Sequence, residues 1–154
     1  MVVVAKDDDI KIERFELGPF GTNAYIVVCQ KTRDSVLIDA PSEASTIMNG
    51  LKGTTPKYIF LTHNHMDHIG ALTELRTRLK VPLAAHALDT GNLPSPPEMS
   101  LSDGDTISFG NLKFEVLHTP GHPLVVYALR PVATWYREIQ SSPGARGRQG
   151  HGLI

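Results

Sequence analysis

The sequence predicts a mixed α/β domain in which helices cover the faces of a sheet. Three observations predict it. The opening segment carries short β-branched apolar runs of the kind that form strands. The middle alternates such runs with a segment of helical periodicity. A two-residue turn, Gly110-Asn111, then joins two further runs into a hairpin.

Taken in order, Ile10 to Leu17 alternates apolar and polar residues as a strand, and Gly18-Pro19-Phe20-Gly21 breaks it. Ala24 to Cys29 and Ser35 to Ile38 are predicted strands, the second ended by Asp39. Ser42 is the predicted N-cap of a helix, with Glu43 in its first turn, that runs to about Lys52 and stops at Gly53. Tyr58 to Leu61 reads as a short buried strand. Ile69, Leu72, Leu75, Arg76 and Leu79 fit one face of a second helix, and Val81 to Ala85 a further strand. Gly91 to Ser100 is a Pro-rich loop. Asp103-Gly104 turns into the strand Thr106 to Phe109, whose hairpin partner is Lys113 to His118.

Composition removes several function classes. The chain has 154 residues, 41% hydrophobic and 20% charged, which suits one domain with a core rather than a disordered segment. A net charge of -1 speaks against a generally basic nucleic-acid binder. The single cysteine, Cys29, excludes a disulfide framework and a four-cysteine zinc knuckle. Placed mid-strand, it reads as a small core residue. No apolar run is long enough to span a membrane, and the N-terminal residues lack the features of a secretory signal. The expectation is a cytoplasmic protein without nucleic-acid or membrane partners.

The candidate chemistry is concentrated between Thr62 and Gly70. His63, His65, Asp67 and His68 lie within six residues, directly after a buried strand and before a helix. Residues two apart in extended chain point the same way, so His63 and His65 share a side. Asp67 and His68 enter the helix and face a neighbouring point. Imidazole and carboxylate are ligands for zinc, or for iron or manganese. A second segment, Leu117-His118-Thr119-Pro120-Gly121-His122, follows a strand, and its Pro-Gly turn presents His122 as a third imidazole.

Together the two segments resemble the metallo-β-lactamase fold superfamily, within it the glyoxalase II-like branch. The matching pattern is His-x-His-x-Asp-His followed by Thr-Pro-Gly-His, with Gly21-Thr22-Asn23-Ala24-Tyr25 and Val36-Leu37-Ile38-Asp39 upstream. The resemblance covers residues 10–122. It implies an αββα sandwich with a metal centre at one edge. It further implies that His63, His65 and His122 hold one metal, and Asp67 and His68 a second, with one or two zinc ions expected. Asp39 is implied to support the metal loops. The implied reaction is attack of a metal-activated water on a thioester or other acyl bond, with Asp67 also orienting the nucleophile. A mononuclear iron persulfide dioxygenase shares the fold and the three-His site and is the alternative enzyme.

The remainder departs from that pattern. Family members continue with two strands, an Asp that bridges the metals and a late His, yet this chain has no Asp after Asp105. His151 has no preceding strand and is not taken as a ligand. Charge also changes along the chain. Up to His122 there are 15 acidic and 11 basic residues; beyond it Glu138 stands against four arginines. Back-translating from His122 and inserting one base after its codon restores a Thr-Pro-Gly-Ser continuation and a Ser-Gly-Asp-Thr segment. The chain therefore divides into a metallo-β-lactamase-like part, 1–122, and an out-of-frame basic tail, 123–154, which leaves the second half of the sandwich incomplete. Such a polypeptide is expected to be poorly soluble and weakly active, so the contrasting function is an inactive remnant, or a scaffold with one weak metal site.

Overall fold

The apolar runs pair into two sheets. A computed structural model of the chain describes residues 1–62, 66–86, 93–119 and 126–131. The first sheet has seven strands in chain order: β1 (Val2–Lys6), β2 (Ile10–Leu17), β3 (Thr22–Cys29), β4 (Asp34–Ile38), β5 (Thr55–Phe60), β6 (Leu83–His86) and β7 (Met99–Leu101). The first four pair antiparallel, and β4 to β7 pair parallel. Parallel neighbours need crossovers. α1 (Ala44–Leu51) links β4 to β5, while α2 (Met66–Ile69) and α3 (Leu72–Leu79) link β5 to β6. The second sheet holds β8 (Thr106–Phe109), β9 (Leu112–Thr119) and β10 (Val126–Pro131), all antiparallel, with β9 central.

Both faces of the first sheet are buried, which explains why its central strands are continuous apolar runs. Ala24, Ile26 and Val28 of β3 face the helices, with Ile47, Leu72 and Leu75 on top of them. Val27 and Cys29 face the other way, against Ile107, Phe109, Phe114 and Val116 of the second sheet. Phe109 and Phe114 stack with centroids 5.7 Å apart. All three described helices pack on the first sheet, so the described layers are helix, sheet, sheet.

Several elements differ from the sequence expectation. Ser42 does not cap α1. The residue at that position is Glu43, in the left-handed region with φ 54, and its carboxylate accepts from Gly18 N–H (3.0 Å) instead of from the helix. The buried Ser42 Oγ has no hydrogen-bond partner among the described residues. The second helix is two pieces, because the chain between them is tied to the loop after β4. Ala40 N donates to His68 O and Ala71 N to Ala40 O, both at 2.9 Å. A Cβ at Gly70 would lie 2.3 Å from Pro41 O, so only glycine allows that approach. β1 and β7 are short edge strands, one in the N-terminal Val run and one closing the Pro-rich loop. Val126–Pro131, within the segment set apart by composition, pairs with β9 over six residues.

Candidate metal centre

Parallel strands collect chemistry at their carboxyl ends, where the loops leave the sheet. Here β4 ends at Ile38, just before Asp39, and β5 ends at Phe60, just before Leu61 and Thr62, side by side. Asp39 is buried, 3% exposed, with φ 64. Its backbone N–H donates to Phe60 O (2.9 Å), which registers the two strand ends. Its carboxylate accepts three hydrogen bonds. Oδ1 takes Thr62 N–H at 2.9 Å, while Oδ2 takes Thr62 Oγ1–H at 2.7 Å and His68 Nδ1–H at 2.9 Å. A carboxylate buried this deeply is tolerable because donors surround it. Asp39 thus bonds Thr62, the residue before the histidine segment, and His68, one of the predicted ligands.

His68 sits in α2, 17% exposed at the side chain. Burial pushes its pKa down. The hydrogen bond to Asp39 and the charges of Asp39 and Asp67 outweigh that effect and hold the imidazole above its ordinary value. With Nδ1–H given to Asp39, the neutral imidazole has its lone pair on Nε2, the arrangement found where an outer carboxylate orients a metal-ligating histidine. Asp67 Oδ2 lies 3.6 Å from that Nε2. This is about the separation of two donors that each stand ~2.1 Å from one ion at an angle near tetrahedral. One imidazole nitrogen and one carboxylate oxygen at this spacing would suit two of the positions a metal ion needs.

Of the five ligands expected from the sequence, the structure brings Asp67 and His68 together. His63, His65 and His122 lie outside the described residues. Among the described residues, no group of three or more His, Cys, Asp or Glu side chains is close enough to hold an ion.

Two features received no role from the sequence, although Thr22 lies within the matching Gly21-Thr22-Asn23-Ala24-Tyr25 pattern. Thr22 Oγ1 donates to Asp67 Oδ2 at 3.1 Å, from the first residue of β3. Beside it lies a recess of about 160 Å³ between the β2–β3 turn and the head of α2, walled by Pro19, Phe20, Pro41 and Met66 with Thr22 and Asp67. Phe20 and Met66 are 81% and 76% exposed, and a large apolar side chain left in water beside a recess suits ligand contact.

Comparison with known proteins places this geometry. The family model described as Metallo-beta-lactamase superfamily matches residues 17–130. The chain belongs to that superfamily. A hydroxyacylglutathione hydrolase of Mesorhizobium japonicum is 35% identical over 94 residues, 60% of this chain and 36% of that protein. The probable metallo-hydrolase YqgX of Bacillus subtilis is 32% identical over 133 residues, 73% of this chain and 62% of that one. Among solved structures, a di-iron-bound protein superposes with a TM-score of 0.63 at 33% identity, covering 76% of this chain and 65% of the other. The metallo-β-lactamase fold is therefore shown, as the sequence predicts, and with it a likeness to metal-binding hydrolases. The chain spans less than two thirds of the length of these curated relatives.

Proposed function

We propose that this sequence encodes a metal-dependent hydrolase of the glyoxalase II type, cleaving a thioester or a related acyl bond in a small molecule. The observation that carries the reading is the chain from Asp39 through His68 Nδ1 to Nε2, with Asp67 Oδ2 at 3.6 Å. The matches to hydroxyacylglutathione hydrolases support it. His63, His65 and His122 would hold one ion, and Asp67 and His68 a second, zinc being the first expectation and iron or manganese the alternatives. A bound divalent metal supplies a nucleophilic water at neutral pH and polarises the acyl carbonyl. Asp39 fixes the His68 tautomer and ring plane. Asp67 is a hydrogen-bond acceptor beside the reacting centre and would orient the water. The recess under Phe20 would exclude solvent from one side of the substrate.

The test is hydrolysis of a panel of thioesters, headed by a hydroxyacylglutathione, by protein loaded with zinc, iron or manganese and by the same protein after chelation. Turnover that chelation abolishes and metal restores is expected. A fully loaded protein inert on every acyl substrate would sink the hydrolase reading. Persulfide-dependent oxygen uptake by the iron form would replace it with the dioxygenase. One observation favours the inactive remnant as a second reading: no Asp follows Asp105 to bridge two metals. We attribute that gap to a single-base shift after His122. Sequencing the coding DNA across Pro120 to Val126 decides between them. An additional base there restores the hydrolase, and its absence leaves the remnant.

A further inference from the structure

We propose that Thr22 is a positioning residue for the Asp67 carboxylate, and that its hydroxyl selects the face Asp67 turns to a metal. The inference deepens the functional reading and rests on it, since it takes Asp67 as a ligand.

Among the described residues, Asp67 has little else to hold it. It lies in a helix of one turn, Met66–Ile69, and its side chain is 38% exposed. Left to itself, such a side chain samples the staggered rotamers. The Thr22 Oγ1–H bond ends on Oδ2, the same oxygen that lies 3.6 Å from His68 Nε2. One donor therefore keeps that oxygen beside the imidazole that Asp39 orients. Asp39 and Thr22 divide the work, the first holding the nitrogen donor and the second the oxygen donor.

Thr22 is itself well anchored. It is 8% exposed and pairs with Leu17 across the β2–β3 ladder. The turn between them is closed by Gly21 N–H to Gly18 O at 3.2 Å, and pinned by Gly18 N–H to Glu43. A β-branched side chain in a strand has few χ1 choices, so the hydroxyl is delivered at a defined place. Serine at this site keeps the donor with less restraint. Valine keeps the shape and removes the donor.

The experiment is a cobalt(II) titration of the whole chain, freed of metal, for wild type, Thr22→Val and Thr22→Ser. The visible d–d spectrum reports ligand geometry, and equilibrium dialysis reports affinity. Thr22→Val is expected to weaken uptake of one ion by about 10-fold or more, the usual effect of removing an outer-sphere partner. Its band should change in position or intensity, while Thr22→Ser stays close to wild type. In an Asp67→Asn background Thr22→Val should have no additional effect, because the threonine acts through that carboxylate. If Thr22→Val loses its far-UV dichroism, Thr22→Ala against Thr22→Ser gives the same comparison. A Thr22→Val protein that titrates with the wild-type spectrum and affinity overturns the role of Thr22 alone. A wild-type chain that takes up no cobalt overturns the metal reading, and Thr22 with it.

Discussion

The two faces of the seven-stranded sheet do different work. One is covered by helices that chain order supplies directly, α1 between β4 and β5, then α2 and α3 between β5 and β6. The loops of these units carry Asp39, Thr62, Asp67 and His68. The other face is covered by a second sheet, and what meets there is apolar: Phe60 and Val27 against Ile107, Phe114 and Val116. Packing on that face sets stability, and hydrogen bonds at the strand ends set the geometry of the candidate site. If so, substitutions should separate the two.

Phe114→Ala should have the largest effect. Phe114 is fully buried between the sheets, and truncating such a side chain costs about 3–5 kcal/mol. A urea melt measures it. Where protein remains folded, cobalt uptake per folded molecule should be unchanged. A loss below about 1 kcal/mol would break the comparison, because the sheets would then not depend on this packing.

Asp39→Ala should cost both stability and metal uptake. It removes the acceptor of Thr62 N–H, Thr62 Oγ1–H and His68 Nδ1–H, and leaving such partners unsatisfied in the interior costs about 3 kcal/mol. Unlike Phe114→Ala, it should also lower metal uptake by the molecules that stay folded. Dialysis against cobalt, normalised to folded fraction by circular dichroism, separates the two variants. Equal uptake by both would mean that Asp39 serves the fold alone.

The same contrast explains what was legible. Strands β2 to β5 and the β8–β9 hairpin are readable because their apolar runs and turns are local signals. Asp67 and His68 stand out as candidates because ligand-type residues crowd one short segment. The break at Gly70 was not, since its cause is Pro41 O, nearly thirty residues earlier in the chain, approaching to where a Cβ would stand. Ser42 failed as a cap for a similar reason. Glu43 takes the left-handed conformation and turns its carboxylate to Gly18, a partner that only the fold brings near. Thr22 belongs to the matching pattern, yet it is 45 residues from Asp67, and no local signal gives its hydroxyl a partner until that contact exists.

Gly70→Ala sharpens the comparison from the helix side. Its methyl would meet a backbone oxygen, so the loop after β4 or the head of α3 must move, at about 1–3 kcal/mol. Because Ala40 and His68 are bonded through the same segment, metal uptake should fall with stability. Thermal melts and cobalt dialysis check it. A destabilised variant with wild-type uptake would show that α2 keeps its place independently of this joint.

The smallest effect is expected at the rim of the helix face, where Glu98 bonds Arg76 and accepts Leu83 N–H at 2.7 Å. That backbone N–H holds the Glu98 carboxyl below its ordinary pKa, against an opposing effect of burial and with Arg76 acting in the same sense. A depressed carboxylate contributes stability above its unfolded-state pKa and loses it as pH falls through the folded one. Glu98→Gln keeps an oxygen for Leu83 and removes the charge. The side chain is 51% exposed, so screening limits the cost to about 0.5 kcal/mol at neutral pH. The difference between wild type and variant should shrink in acid, below the ordinary carboxylate range, and metal uptake should not change. Urea midpoints at a series of pH values measure it. A gap that widens in acid would contradict the charge argument. A change in metal uptake would mean that this rim, far from Asp39 in the chain, belongs to the site after all.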